Sequence, residues 1–231
     1  MKYCLLIFII TSSCFGYTQN TNDTAKSELY KNYREDQFYA SITYNLLNNK
    51  PNSVSQNGFS TGFHFGFIRD MPINKRRNIA IGLGLGLSAN SYNQNIRISS
   101  SNNEILYTIA DNTTHVSKNK FSTYLVELPV EIRWRTSTPT EYNFWRIYSG
   151  FKLGHLLYNT TKFKSDSGNN KLYNIAGFNS LQYGLTLSIG YGTWNFNAYY
   201  GLNSIFNANA KLNGQSIDMK SFKIGLMFYI L

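Results

Sequence analysis

The stretch Leu181–Tyr191, which reads LQYGLTLSIGY, has an apolar residue at every second position. Gln, Gly, Thr, Ser and Gly occupy the positions between, and the apolar set is Leu181, Tyr183, Leu185, Leu187, Ile189 and Tyr191. Because successive side chains of a strand point to opposite sides, a period of two indicates a β-strand with two unlike faces. One face of this strand is bulky and apolar, and the other is small and polar.

The same alternation returns in seven further stretches of the chain. They cover residues 38–46, 59–67, 79–90, 124–135, 145–154, 194–202 and 222–230. The connections after the second, fourth and sixth stretches are short, and the others are longer. The pattern predicts an all-β, eight-stranded antiparallel up-and-down barrel.

The N-terminus has the features of a secretory signal peptide. A basic residue is followed by an apolar run over residues 3–10 and by small residues up to Gly16. We expect a signal peptide over residues 1–16, since so short an apolar run cannot cross a bilayer as a helix. Residues 17–35 are polar and predict a periplasmic lead-in. Residues 36–231 form the predicted barrel.

Both cysteines of the chain, Cys4 and Cys14, lie in the predicted signal peptide. The mature chain therefore has no thiol for a disulfide or a thiolate metal site. A lipoprotein anchor at Cys14 is a minor alternative, because Thr11 stands where such signals usually have a branched aliphatic residue. A closed barrel needs no disulfide, since it completes its own backbone hydrogen bonds. Export and strand pattern together predict a transmembrane barrel of the outer membrane.

The three tryptophans give the predicted barrel an orientation. Trp134 ends the fourth predicted strand, whereas Trp145 and Trp194 begin the fifth and the seventh. All three belong to the apolar face at the end with short connections. Since indoles concentrate at bilayer interfaces and short turns are periplasmic, they predict a periplasmic-side aromatic girdle. Both termini are then expected on the periplasmic side.

Charged residues share the glycine-rich face of the predicted strands, which is expected to line the lumen. They are Glu127, Glu131, Arg133, Arg135, Arg146, Lys152 and Lys223. Eight strands enclose a tube narrow enough for side chains to fill. Because charges removed from water need partners, this set predicts an ion-pair plug rather than an open pore.

A strand register can be proposed for the hairpin of the fourth and fifth predicted strands. If Trp134 pairs with Trp145, Glu127 faces Lys152, and Arg133 faces Arg146 with Glu131 close enough to offset the repulsion. Pro129 lies in mid-strand, where it cannot donate a ladder hydrogen bond. We expect a local bulge at Pro129, opposite Gly150.

Residues that could carry chemistry are few. His64 is expected in the lumen, His115 in a loop and His155 on the outer face, and no Ser or Asp clearly joins any of them. The glycine alternation over residues 82–86 lacks the third glycine and the following helix of a dinucleotide fingerprint. No metal-ligand spacing is present. We expect no catalytic, cofactor or metal site.

The net charge is +10. Because the basic residues are scattered and form no long block in an exported chain, we expect no nucleic-acid partner.

Three stretches carry a resemblance to a known family: residues 62–86 (GFHFGFIRDMPINKRRNIAIGLGLG), 124–135 (YLVELPVEIRWR) and 144–154 (FWRIYSGFKLG). They resemble the PorT-type outer-membrane β-barrel family of Bacteroidota, in which an "EIPV"-like strand follows a Gly-alternating strand; here it reads Glu127-Leu128-Pro129-Val130. The resemblance spans residues 36–231. It implies an integral outer-membrane protein, with a role in type IX protein secretion and partners in that system.

The C-terminal stretch over residues 225–231 resembles the signal that barrel-assembly machinery reads, although it ends in Leu rather than an aromatic residue. The expected partners are therefore outer-membrane lipid, that machinery and other secretion proteins.

The first functional hypothesis is a non-enzymatic outer-membrane component that acts in structure or assembly through partners. A small porin-like channel is the main alternative. A lipid-modifying barrel enzyme and a soluble lipocalin-like carrier are weaker ones. A lipocalin has an apolar cup and a polar exterior, whereas the charged face here is also the glycine-rich face.

Overall fold

The computed structural model describes residues 35–101, 104–110, 115–136, 144–166 and 168–230. The predicted signal peptide and all of the predicted lead-in except Glu35 lie outside the described residues. No helix among the described residues is long and apolar enough to cross a membrane.

The described part of the chain contains only β-strands as regular elements. They are β1 (Gln37–Asn48), β2 (Thr61–Pro72), β3 (Ile79–Asn93), β4 (Ile96–Ser101), β5 (Glu104–Ile109), β6 (Val116–Arg135), β7 (Trp145–Ser165), β8 (Gly168–Tyr173), β9 (Leu181–Tyr191), β10 (Trp194–Ser204), β11 (Lys211–Leu212), β12 (Gln215–Ser216) and β13 (Lys220–Ile230).

Eight of these strands close into an antiparallel barrel in chain order. The order is β1, β2, β3, β6, β7, β9, β10 and β13, and β13 pairs back with β1. The predicted all-β, up-and-down barrel is thus confirmed. We call the end with the connections at 73–78 and 192–193 the turn end, and the opposite end the loop end.

The barrel wall has an apolar outer face and a polar inner face. Phe196 is 76% exposed and Leu85 is 62% exposed, whereas the neighbouring inward side chains of both strands are buried or half-buried. Exposed apolar groups over a whole wall are unfavourable in water and stable against hydrocarbon. The outer face is therefore the one that contacts lipid.

The longer connections that the sequence predicts lie at the loop end, and they are not irregular loops. They contain β4, β5, β8, β11 and β12, and β6 and β7 also extend beyond their predicted ends. Together they bury an apolar cluster, here called the loop-end core. It consists of Leu47, Val54, Tyr92, Ile96, Ile98, Tyr107, Phe121, Ile175, Phe178, Ile205, Phe206, Ala210, Leu212, Ile217 and Met219.

The loop-end core is well packed. The ring centroids of Phe178 and Phe206 lie 4.7 Å apart, and those of Phe121 and Phe206 lie 5.2 Å apart. Burial in this cluster raises the pKa of Tyr107 to about 12. The apolar residues that form it are separated by polar ones, so that only the tertiary structure brings them together.

The register of β6 and β7 differs from the predicted one by two residues. Trp134 lies opposite Ile147, and Arg135 lies opposite Arg146. The reason is at the turn end, where the backbone N–H of Thr136 donates to the carbonyl of Trp145 at 2.9 Å. This extra pair places Trp145 opposite Thr136 instead of Trp134.

The predicted bulge at Pro129 is also wrong. Pro129 lies opposite Lys152 in an unbroken register, and the ladder between β3 and β6 lacks pairs at Gly84 and Leu85. Proline has no N–H to donate. The missing ladder hydrogen bond is therefore one between β6 and β3, and the ladder between β6 and β7 stays complete at Pro129. A Cβ at Gly84 would lie 2.9 Å from Pro129 Cγ, and glycine therefore leaves space for the ring.

Candidate functional site

The lumen holds two separate groups of charged side chains. The lower network, near the turn end, comprises Glu35, Gln37, Asp70, Arg133 and Arg135. The upper network comprises His64, Glu127 and Lys152. Each is built by several strands of the barrel, whose inward positions bring together residues that are far apart in sequence.

Asp70 is the centre of the lower network. Its Oδ1 accepts hydrogen bonds from Arg133 Nη1 at 2.9 Å and from Arg135 Nη1 at 2.8 Å, and its Oδ2 accepts from Arg135 Nη2 at 2.8 Å. All three residues are fully buried. One carboxylate therefore binds two guanidinium groups, one of them in bidentate fashion.

Further polar contacts complete the lower network. Arg133 Nη2 donates to Gln37 Oε1, and Arg133 Nη1 donates to the carbonyl of Glu35 at 3.3 Å. Gln37 Nε2 in turn donates to Glu35 Oε2 at 3.0 Å. Glu131, the expected partner of Arg133, has its Oε2 3.6 Å from Arg133 Nε, so that Asp70 is the closer counter-charge.

Sequence reasoning missed Asp70 because it assigned the residue to a turn. The signal was present, since β2 continues to Pro72 and Asp70 has the same parity as the inward residues His64 and Ile68. An alternation followed three residues beyond residue 67 would have placed this carboxylate in the lumen.

Aromatic rings accompany the arginines of this region. Arg133 faces Tyr148 across the β6–β7 ladder, rather than Arg146 as the predicted register has it, and its guanidinium lies 4.1 Å from the ring centre. The Arg146 guanidinium lies 4.4 Å from the Phe144 ring and 5.4 Å from that of Tyr229. Rings at these distances attract a cation through their quadrupole.

Glu127 is the centre of the upper network. Lys152 Nζ donates to Glu127 Oε2 at 2.9 Å, and His64 Nδ1 lies 3.1 Å from Glu127 Oε1. Glu127 and Lys152 are not directly opposite, as the predicted register has them, because Glu127 faces Gly154. Lys152 reaches Glu127 on the diagonal, one inward position away.

Lys223, the remaining predicted lumen residue, is also buried. Its Nζ lies 4.8 Å from the centre of the Tyr199 ring, on the neighbouring strand β10.

Glycines on the inner face leave room for these long side chains. A Cβ at Gly82 would lie 2.7 Å from Arg133 Cδ, and one at Gly62 would lie 2.8 Å from Asn90 Oδ1. Both distances are too short for a real contact, and larger residues at these positions would displace the polar groups. The glycines and the charged groups of the lumen are thus complementary in volume.

Thr43, His64 and Glu127 have the order of a hydroxyl–imidazole–carboxylate relay, which sequence reasoning did not find. Thr43 Oγ1 lies 3.4 Å from His64 Nε2, but it also donates to Asn45 Oδ1 at 2.8 Å. Lys152 neutralises the carboxylate. All of these side chains are buried inside the barrel.

Among the described residues, no group of His, Cys, Asp and Glu side chains could hold a metal ion. His115 and His155 are exposed at the loop end and on the outer wall, respectively.

The three tryptophans lie on the outer wall near the turn end. Trp134, Trp145 and Trp194 are 40%, 56% and 64% exposed. Trp145 packs against Tyr191 with ring centroids 5.5 Å apart, and Trp194 packs against Phe228 at 4.9 Å. These residues form a ring of aromatic groups around one end of the apolar wall.

Comparison with known proteins places this geometry in a family. The family model described as outer membrane protein beta-barrel domain matches residues 17–207. No curated protein matches the chain at a significant level.

Several solved structures show a distant similarity to this chain. The attachment invasion locus protein Ail of Yersinia pestis is 14% identical, with 84% of this chain and 97% of that chain covered and a TM-score of 0.36. The structure of Ail in complex with the heparin analogue sucrose octasulfate is 12% identical, with 85% of this chain and 99% of that chain covered and a TM-score of 0.36. A mutant of the Rh. blastica porin is 8% identical, with 86% of this chain and 100% of that chain covered and a TM-score of 0.22.

Proposed function

Because this chain belongs to the outer membrane protein beta-barrel domain family, we propose that it is a sealed, non-enzymatic outer-membrane barrel. It acts as a structural or assembly component through partners. The observation that carries the proposal is the filled lumen, in which buried side chains occupy both the lower and the upper network. The loop-end core forms a third, apolar layer above them.

The filled lumen argues against the porin-like alternative. A channel needs a continuous path for water, whereas Arg133 and Arg135 are fully buried and Glu127 is 2% exposed. Opening a path would require breaking buried ion pairs, each of which costs about 3–5 kcal/mol when one partner is left alone.

Separate observations argue against the other two alternatives. A lipid-modifying enzyme would need reactive groups that open to the membrane, but the Thr43–His64–Glu127 relay is enclosed in the lumen. A soluble carrier would need a polar exterior, but large apolar side chains such as Phe196 and Ile132 cover the outer wall.

Conductance in planar bilayers tests the sealed lumen. The folded protein, identified by heat-modifiable gel migration, is expected to insert without any steady conductance above that of the lipid alone. Protease protection in liposomes of the same composition shows that insertion has occurred. A steady conductance from the inserted wild-type protein would overturn the proposal.

The role in type IX secretion rests on the resemblance to PorT-type barrels, and the C-terminal stretch 225–231 supports recognition by barrel-assembly machinery. A partner-dependent component should co-purify with secretion proteins from cross-linked native outer membranes. Deletion of the chain should also reduce the export of type IX cargo. Unchanged export after deletion would contradict this role, and would leave the sealed barrel itself unaffected.

A further inference from the structure

Five lysines lie on one face of a three-stranded sheet at the loop end. The upper parts of β6 and β7 and the whole of β8 form this sheet. Lys162 of β7 lies between Lys120 of β6 and Lys171 of β8 and is paired with both. Further up the sheet, Lys118 of β6 lies opposite Lys164 of β7. Like charges directly opposite each other in a sheet are destabilising. We call this surface the lysine face.

The lysine face points away from the barrel axis. The other side of the same sheet is buried: Phe121, a member of the loop-end core, is 0% exposed, and Phe163 is 6% exposed. Among the residues that the structure describes, no carboxylate lies within the 4.0 Å of an ion pair from any of the five ammonium groups. Within the described part of the chain, no ion pair with a carboxylate therefore offsets the repulsion on this face.

A row of tyrosines lies directly below the lysine face. The rings of Tyr124 and Tyr158 are 5.6 Å apart, and those of Tyr158 and Tyr173 are 6.1 Å apart. Aromatic girdles of this kind mark the boundary between hydrocarbon and headgroups in outer-membrane barrels. Lys120 is four residues from Tyr124 along β6, a distance of about 13 Å at the rise of a strand.

An apolar groove of about 360 Å³ opens on the outer wall below the tyrosine row. Its principal lining residues are Phe63, Phe65, Leu87, Tyr124, Leu125 and Leu157. The groove lies where the β6–β7 register shifts between Tyr124 and Leu125. Its lining is mainly apolar, which suits a hydrocarbon chain, and it lies on the face that contacts lipid.

We propose that the groove, the tyrosine row and the lysine face together bind a phosphorylated glycolipid of the lipid A type. The three layers have the order of such a lipid: acyl chain, interface, phosphate. A lipid with more than one phosphate can neutralise a row of lysines that a single carboxylate cannot span. This site rests on the outer-membrane location of the proposed function, but not on the sealed lumen.

Retention of lipid A through purification in detergent tests the site. Wild-type protein is expected to retain lipid A, and the K120Q/K162Q/K171Q variant is expected to bind it about tenfold or more weakly, because each lysine near an anionic surface adds to the attraction. The K50Q/K75Q/K211Q variant removes the same charge from exposed positions elsewhere and should bind as the wild type does. Native mass spectrometry measures the bound lipid.

Thermal unfolding provides a readout that separates binding from folding. Without lipid, the K120Q/K162Q/K171Q variant should melt at the wild-type temperature or above it, since the substitutions relieve repulsion. Added lipid A should raise the melting temperature of the wild type by more than that of this variant, because the variant binds the lipid more weakly. Equal shifts in both proteins would overturn the proposal.

Competing ligands and a groove variant identify the ligand. Inorganic phosphate at the same concentration should not displace lipid A, and phosphatidylcholine should not raise the melting temperature. The Leu157→Trp variant fills the groove and should weaken lipid A binding while the lysines remain. Full competition by phosphate, or unchanged binding by Leu157→Trp, would contradict a lipid site that uses the groove.

Discussion

Asp70 determines how the lower lumen accommodates two buried arginines. Its two oxygens accept three hydrogen bonds from Arg133 and Arg135, and none of the three residues is exposed. In an interior of low dielectric, an ion pair is stable only if each charge keeps its partner. A single carboxylate therefore supports two cations.

Replacement of Asp70 by Asn should destabilise the barrel strongly. The amide cannot neutralise the arginines, and we expect the free energy of unfolding to fall by about 3–5 kcal/mol. Urea titration of the refolded protein in detergent measures this loss. Asp166→Asn, at an exposed turn position, is the matched control and should leave stability unchanged. A similar, small effect of both substitutions would show that Asp70 is not essential.

The Glu127–Lys152 pair allows a charge-reversal test. Lys152→Glu places two buried carboxylates next to each other and should reduce the fraction of protein that folds, measured by heat-modifiable migration. Reversal of Glu127 as well should restore part of this fraction, since the diagonal contact can form in the opposite sense. The rescue stays incomplete because His64 also contacts Glu127. No rescue at all would refute the pairing.

At the level of the element, β7 shows that glycines on one face are not equivalent. A Cβ at Gly150 would lie 2.8 Å from Glu131 Cα and closer still to the Val130 carbonyl, both of them backbone atoms of β6. A Cβ at Gly154 would first meet the Leu125 side chain, at 3.2 Å. A flexible side chain can move aside, whereas a paired strand cannot.

The two alanine variants of β7 should therefore differ in stability. Gly150→Ala forces β6 and β7 apart, and we expect it to cost about 1–3 kcal/mol. Gly154→Ala is the matched control on the same face and should cost less than half as much. Denaturant titration of both variants under one set of conditions gives the comparison. Equal costs would mean that the β6–β7 spacing is not limited by Gly150.

At the scale of the whole molecule, the two ends of the barrel differ. The turn end has short connections and the tryptophan ring, whereas the loop end has additional strands and an apolar core. Outer-membrane barrels have short periplasmic turns and longer external loops. We therefore propose an orientation with the turn end in the periplasm.

Cysteine labelling tests the orientation, since the only cysteines of the chain lie in the predicted signal peptide. A membrane-impermeant maleimide should label Gln215→Cys at the loop end in intact cells. Lys75→Cys, in a turn at the other end, should react only after the outer membrane is permeabilised. Both positions are exposed in the structure, so that accessibility alone does not separate them. The reverse labelling pattern would invert the orientation.

The sequence by itself determined the eight barrel strands, the face of the wall that their side chains occupy and the closed barrel. These follow from an alternation that is local, because the pleat of a strand sends successive residues to opposite sides. Asp70 and the extra strands of the loop end show its limit. Their roles depend on contacts between residues far apart in the chain. Asp70, for example, binds Arg133, which lies 63 positions further along.

Only the tertiary structure decided the register and the partners of the charged residues. A shift of one residue would turn every apolar side chain inward, and the pattern therefore excludes it. A shift of two residues leaves every side chain on its face, so that Trp134 can oppose either Trp145 or Ile147 without any change in the pattern. Closure of the barrel, with the extra pair of Thr136 and Trp145 at the turn end, selects Ile147 and so brings Lys152 to Glu127 on the diagonal.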